Sequence, residues 1–157
     1  MKATFEHSVD VLVKAYLNGT LLHGYCSACA VGNLCANAMG YQMQPTKHAF
    51  EWISNFGGRR FPLWDEVFIS TAPNHQERHT SQYYGEAKKQ IDSTGYTWDQ
   101  LADIEKSFES ANDYEGTDTA MFNGLMAVLD VLAEIHGVDL TVKQNAIGRF
   151  EEIHATK

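Results

Sequence analysis

The longest helical pattern of the chain lies at residues 117–136, which read TDTAMFNGLMAVLDVLAEIH. Met121, Leu125 and Leu132 follow one another at intervals of four and seven residues, so they share one face of an α-helix. Gly137 follows directly and is typical of the residue that ends a helix. A long helix with an apolar face needs partners to cover that face. The stretch therefore favours a helical bundle.

Further segments carry a similar periodicity. At Thr97 and Gln100 the sequence has the spacing of a capping box, which marks the start of a helix. Thr141 is expected to cap the last helix. Helices are predicted over residues 4–17, about 26–39, 81–93, 97–108 and 141–153.

Residues 40–78 do not follow this pattern. They contain all three prolines of the chain and a pair of adjacent glycines. A short helix at 47–55 and a brief strand at 66–70 are the only regular elements expected in this segment. The predicted fold class is therefore mainly α: a single helical domain over 1–157, an irregular bundle of five or six helices with a long irregular middle segment.

The composition restricts the classes of partner. The chain has 157 residues, with 20 acidic and 12 basic side chains, and a formal net charge of −8. This charge repels phosphate backbones and argues against nucleic acid as a partner. No apolar run has the length of a membrane span, and charged residues interrupt any signal-peptide pattern. An odd, small number of cysteines suits a reducing compartment, so a cytoplasmic, membrane-free protein is predicted.

Reactive side chains are concentrated in residues 23–35, HGYCSACAVGNLC, which hold all three cysteines. His23, Cys26, Cys29 and Cys35 together could supply four ligands to a zinc ion. In one continuous helix the three thiols would point in different directions, because successive residues are about 100° apart. A zinc site therefore requires that the helix begin after Cys26 or unwind near Gly32.

Two other interpretations of the cysteines remain open. The first is a thiol enzyme in which Cys29, or Cys26, is the nucleophile, His136 the base and Glu105 the group that orients the base. Glu105 lies about 40° from Leu101 on its helix and should point inward. The second is simple packing, since free cysteine is among the most buried residue types.

A third class of function rests on the aromatic residues of the middle segment. If these side chains are exposed, they mark an interface for a protein partner, as in a phage or mobile-element factor. The small residues of the 26–39 helix also permit close self-association. The aromatic residues concerned are Phe50, Trp52, Phe56, Phe61 and Trp64.

Three passages carry a resemblance: CSACAVGN, TGYTWDQLADIEKSFE and GLMAVLDVLAEIHG. Together they resemble small uncharacterised proteins of gut-associated bacteria and their phages. The resemblance implies no particular chemistry and supplies no catalytic residue. The sequence as a whole favours a small non-enzymatic protein with a binding or accessory role, and a Cys/His zinc site is one of the alternatives that its cysteines leave open.

Overall fold

The computed structural model describes residues 2–46, 50–54, 58–67, 84–111 and 118–157. Within these ranges it is mainly α, as predicted, with six α-helices and one small antiparallel sheet in the order β1-β2-β3. The helices are α1 (Phe5–Asn18), α2 (Ala30–Met39), α3 (Tyr84–Ser93), α4 (Trp98–Ser110), α5 (Asp118–His136) and α6 (Leu140–Thr156). The strands are β1 (Gln42–Pro45), β2 (Phe50–Ile53) and β3 (Arg59–Arg60), and Trp64–Val67 forms a 3-10 helix.

Local capping explains several helix ends. The Thr97–Gln100 capping box is present in full at the start of α4. The last helix begins earlier than predicted, because the side chain of Asp139, rather than Thr141, accepts the backbone N–H of Val142. An aspartate oxygen at this position satisfies one of the free N–H groups of the first turn and also suits the positive end of the helix dipole.

Two predictions for the middle of the chain are wrong. Phe50–Ile53, expected in a helix over 47–55, is a strand that pairs with Gln42–Pro45 so that Trp52 lies opposite Met43. Trp52 is the buried residue of this strand, and its other three residues are partly buried. Residues 66 and 67, expected at the start of a strand, belong to the 3-10 helix instead. The rest of that predicted strand, and residues 81–83 of the predicted third helix, lie outside the described ranges.

The buried apolar residues form one cluster to which all six helices contribute. Helices α4 and α5 approach closely at Gly124, where a Cβ atom would lie only 2.8 Å from Cδ2 of Phe108. The C-terminal half of α4 faces the loop that joins α1 to α2. This arrangement brings Glu105 and Glu109 of α4 toward the cysteines. Among the helices that the structure describes, none is long and apolar enough to span a bilayer.

Candidate functional site at the cysteine turn

The first two cysteines lie on a tight turn, residues 25–29, which we call the cysteine turn. The backbone N–H groups of Ala28 and Cys29 both donate to the carbonyl of Tyr25, at 3.0 and 2.9 Å. Cys29 is the N-cap of α2, and its Sγ accepts the N–H of Gly32 at 3.3 Å. The helix therefore begins at Ala30, after Cys26, and not at about Cys26 as the sequence predicted.

Gly32 permits this turn to fold back onto the first turn of α2. A Cβ atom at Gly32 would lie 2.3 Å from the carbonyl oxygen of Cys26 and 2.8 Å from the carbonyl carbon of Ser27. Neither backbone atom can move without displacing the turn, so only glycine fits. Small residues permit close approach of a neighbouring backbone, and at Gly32 that backbone is the cysteine turn itself.

Two tryptophan side chains donate hydrogen bonds to the backbone of the cysteine turn. The indole Nε1–H of Trp52 donates to the carbonyl of Ser27, and that of Trp64 donates to the carbonyl of Cys26, each at 2.8 Å. Both tryptophans are completely buried. They satisfy carbonyl groups that would otherwise be buried without a partner, which would cost about 1–3 kcal/mol each.

Two members of the aromatic set considered for a partner interface do not reach the surface. Trp52 and Trp64 face the interior, and Phe50 is half-buried. Phe61, whose side chain is 65% exposed, is the one member of the predicted set with a largely exposed side chain among the residues described. Phe56 lies outside the described ranges. The aromatic segment covers the cysteine turn because its indoles complete the hydrogen bonds of that turn.

A buried glutamine anchors the same segment to α3. The side-chain oxygen of Gln90 accepts the N–H groups of Leu63 and Trp64, at 2.7 and 3.0 Å. Its side-chain nitrogen donates to the carbonyl of Phe61 at 2.8 Å. Gln90 is only 4% exposed, and these three bonds fix the position of Trp64 and of Asp65, which follows it.

Each thiol is in an environment that favours its protonated form. Cys26 is half-buried and donates to Oδ2 of Asp65 at 3.1 Å. Burial, the hydrogen bond to Asp65 and the charges of Asp65 and Glu105 raise the pKa of Cys26 to about 12. Burial, and to a smaller extent Glu105, raises the pKa of Cys29 well above its ordinary value. Burial alone raises the pKa of Cys35, which lies in the interior of α2.

The carboxylates near the turn influence one another. Burial, followed by the charges of Glu109 and Asp65, raises the pKa of Glu105 from 4.5 to about 7. Glu109 lies one helical turn further along α4, and both of its carboxylate oxygens accept the N–H of Gly24, at 3.1 and 3.0 Å. The site therefore combines two thiols with three carboxyl groups, and negative charge on any one of them disfavours charge on the others.

The four predicted zinc ligands are not gathered at one point. Among the residues that the structure describes, no group of three or more His, Cys, Asp or Glu side chains is arranged to hold a metal ion. Cys35 packs inside the core. His23 contacts α4, where its Nε2–H donates to the carbonyl of Phe108 at 3.1 Å and its ring lies 4.3 Å from the Phe108 ring.

Of the predicted catalytic set, the structure brings Glu105 toward Cys29 but gives His136 other partners. Glu105 raises the pKa of Cys29 through its charge. His136 instead bonds through Nε2 to the hydroxyl of Tyr96 at 2.7 Å, and its ring packs edge-on against Phe5. Burial lowers the pKa of His136, with opposing contributions from the charges of nearby side chains. Neither Cys29 nor Glu105 is among the groups that act on that pKa.

Sequence reasoning missed Asp65 and Glu109. Glu109 could have been found, because it follows Glu105 by four residues and therefore lies on the same face of α4. Asp65 gives no such signal, since it reaches Cys26 through a 3-10 helix 39 positions further along the chain. Comparisons of this chain with protein-family models, with curated protein sequences and with solved structures found no match.

Proposed function

We propose that this chain is a small non-enzymatic protein with a binding or accessory role, in which the cysteine turn is a packing and folding element. The observation that supports the proposal is the surroundings of the thiols: Cys26 donates to the carboxylate of Asp65, and Cys29 and Cys35 are buried. Nucleophilic cysteines need neighbours that stabilise the thiolate, such as a histidine cation or a helix N-terminus open to solvent. Here carboxyl groups and burial act in the opposite direction on Cys26 and Cys29.

Hydrogen bonding supports the same proposal. The thiol of Cys26 is a donor to Asp65, whereas a thiolate would require a donor in that position. The sulfur of Cys29 accepts a backbone N–H and in this way replaces the oxygen of a usual N-cap side chain. The sulfurs of Cys26 and Cys29 are thus each accounted for by a contact that stabilises the turn, and Cys35 packs in the core.

The test measures the reaction of each thiol with iodoacetamide at neutral pH, resolved by mass spectrometry and compared with glutathione. A pKa of about 12 in place of 9.0 makes the Cys26 thiolate much rarer. We therefore expect Cys26 to react at least about tenfold more slowly than glutathione, and the buried Cys29 and Cys35 more slowly still. A cysteine that reacts faster than glutathione would contradict the proposal and support the thiol enzyme.

Asp65→Asn is the informative variant. It removes the charge that disfavours the Cys26 thiolate and leaves a side chain of the same shape, so the reaction of Cys26 should accelerate while Cys29 and Cys35 stay slow. Asp99→Asn, the same change on an exposed residue in the first turn of α4, is the control.

The same preparation tests the predicted zinc site. A zinc-dependent fold contains stoichiometric metal and loses thermal stability when a chelator removes it. The packing role of the cysteine turn predicts an unchanged melting temperature in the chelator. A fall in melting temperature that added zinc reverses would support the metal site and count against the packing role.

A further inference from the structure

A cavity of about 450 Å³ lies where the start of α1, the end of α2 and the turn between α3 and α4 meet. We call it the N-terminal cavity. Its volume falls within the range of about 300–1,000 Å³ that is usual for small-molecule sites. No residue of the cysteine turn belongs to the described part of its lining. The wall includes Ala3, Ser8, Leu34, Ala38, Thr94 and Tyr96.

A chain of hydrogen bonds ends at this wall. The hydroxyl of Tyr96 lies 2.6 Å from Oγ of Ser8 and 2.7 Å from Nε2 of His136. Ser8 and Tyr96 are only 2% and 5% exposed. Each hydroxyl can donate or accept, and Nε2 of His136 can do either, depending on its tautomer. The series of hydrogen bonds can therefore run in either direction. When His136 Nε2–H donates to Tyr96 and Tyr96 donates to Ser8, the hydroxyl proton of Ser8 is left free for a further acceptor.

The charge around the cavity is opposite to that of the protein. The chain carries 20 acidic and 12 basic residues, yet the described lining includes Lys2 and His7 and no Asp or Glu. Two acidic residues adjoin lining residues in the sequence without lining the cavity themselves: Glu6, which acts on the pKa of His136, and Asp92, which pairs with Lys88.

The first turn of α1 adds to this positive character. The side chain of Thr4 accepts the N–H of His7. The N–H groups of Phe5 and Glu6 have no acceptor within the helix, because these residues are its first two positions. The positive end of the helix dipole also lies here. An anion near Lys2 therefore meets a cationic side chain and the positive end of a helix together.

We propose that the N-terminal cavity binds a small organic carboxylate with an apolar body. The body packs against Leu34, Ala38 and Ala3, and the carboxylate is held by Lys2 and the hydroxyl proton of Ser8. Binding selects the direction of the hydrogen-bond chain in which His136 donates to Tyr96 and Tyr96 donates to Ser8. This proposal goes beyond the proposed function, whose test depends on the thiols, so either proposal can fail alone.

The test is an NMR titration of the ¹⁵N-labelled protein with hexanoate, with hexanamide as the neutral analogue and hexyl phosphate as the phosphate analogue. Hexanoate should shift the amide signals of residues 3–8 and 93–96 saturably, with a Kd of about 1 mM or tighter. Hexanamide should bind at least about threefold more weakly, and added salt should weaken hexanoate binding.

Three variants locate the binding. Lys2→Gln should weaken hexanoate binding roughly three- to tenfold, because an exposed charge contributes modestly. Tyr96→Phe should weaken it by breaking the hydrogen-bond chain, and Ala38→Leu should abolish it by filling the cavity. Lys106→Gln, the same loss of charge at an exposed lysine on α4, is the control and should leave the Kd within about twofold.

Several results would overturn the proposal: no saturable shift with hexanoate, equal affinity for hexanamide, or binding of hexyl phosphate without hexanoate. An unchanged Kd in Lys2→Gln would do the same. Because Lys2 is exposed, this variant should fold normally and keeps the test decisive even if Ala38→Leu does not fold.

Discussion

Among the carboxyl groups that the structure describes, Glu105 is the one whose ionisation is most affected by the fold. It lies on the inner side of α4 beside two thiols and two other carboxyl groups, and its pKa is raised to about 7. Its carboxyl group is therefore close to half protonated at neutral pH. A protonated carboxyl group is tolerated at this depth, whereas a carboxylate there lacks the solvation that it would have in the unfolded chain.

This gives a prediction for the pH dependence of stability. The folded-state pKa of Glu105 lies above its ordinary value, so the folded protein binds this proton more tightly than the unfolded chain. The stability that Glu105 contributes is complete below pH about 4.5 and is lost as the pH rises through about 7. Glu105→Gln should flatten the profile over this window and stabilise the protein above it by on the order of 1 kcal/mol, after allowance for partial exposure.

Urea unfolding over a pH series measures this effect. The control is Glu134→Gln, the same substitution at an exposed position on α5. If Glu105→Gln lost stability with rising pH as steeply as the unaltered chain, the assignment of that slope to Glu105 would fail.

The sequence predicted part of this cluster. The inward direction of Glu105 follows from helical phase, because the apolar residues around it define the buried face of α4. The sequence also grouped Glu105 with Cys29, but as the residue that orients His136 in a catalytic set; that role stays a prediction, and in the structure His136 bonds to Tyr96. The pairing of Cys26 with Asp65 was not predicted, since Asp65 is positioned by Gln90 and Trp64 through contacts between distant parts of the chain.

Helix α2 makes a close backbone contact with the cysteine turn at Gly32. Asn33, next to Gly32, donates to the carbonyls of Thr20, Ala28 and Cys29. Helix propensity alone would disfavour glycine here by roughly 1 kcal/mol relative to alanine. The contact therefore accounts for a residue that weakens the helix locally.

Gly32→Ala should destabilise the protein by about 3 kcal/mol, because the new methyl group would overlap backbone atoms of Cys26 and Ser27 that cannot move independently. Gly148→Ala is the matched control, since Gly148 also lies inside a helix but no atom lies within 4 Å of the added Cβ. That variant should gain up to about 1 kcal/mol. Thermal unfolding of both variants tests the pair; equal shifts would show that the contact at Gly32 is unimportant.

The helices were easier to predict than the strands for a physical reason. Ten or more residues with one apolar face give a clear period, as in α5. The strands contain two to four residues each, too few to show a period. Their pairing is supported by the burial of Trp52 between the sheet and the cysteine turn, which no local pattern reveals.

A hydrogen bond between side chains joins α6, the last helix of the molecule, to α1, the first. The hydroxyl of Tyr16 lies 2.7 Å from Nδ1 of His154, and the His154 ring stacks on Phe122 with centroids 4.4 Å apart. Burial and the charge of Asp118 raise the pKa of Tyr16 to about 12, so its hydroxyl stays protonated. This hydrogen bond connects two residues that are 138 positions apart in the sequence.

A double-mutant cycle tests this connection. Tyr16→Phe and His154→Ala should each destabilise the protein, and together they should lose less than the sum, with a coupling energy of about 1 kcal/mol. Denaturant unfolding supplies the four free energies. Tyr25→Phe, at a tyrosine that is 44% exposed, should be additive with His154→Ala. A coupling of zero between Tyr16 and His154 would show that the bond contributes nothing to stability.

Function was much harder to predict than fold. The periodic helices indicated a bundle, whereas the cysteines were consistent with zinc binding, catalysis or packing until the partners of each sulfur were known. The resemblance to proteins of gut-associated bacteria and their phages stays a prediction, since the comparisons with known proteins found no match.

The two indoles that bind the cysteine turn also provide an optical reporter. Trp52 and Trp64 are fully buried and donate to adjacent carbonyls of one turn, while Trp98 lies at the partly buried start of α4. Loosening of the turn exposes two chromophores together and moves their fluorescence to longer wavelength. The emission spectrum therefore reports the integrity of one small region, and its comparison with far-ultraviolet circular dichroism shows whether that region opens before the helices melt.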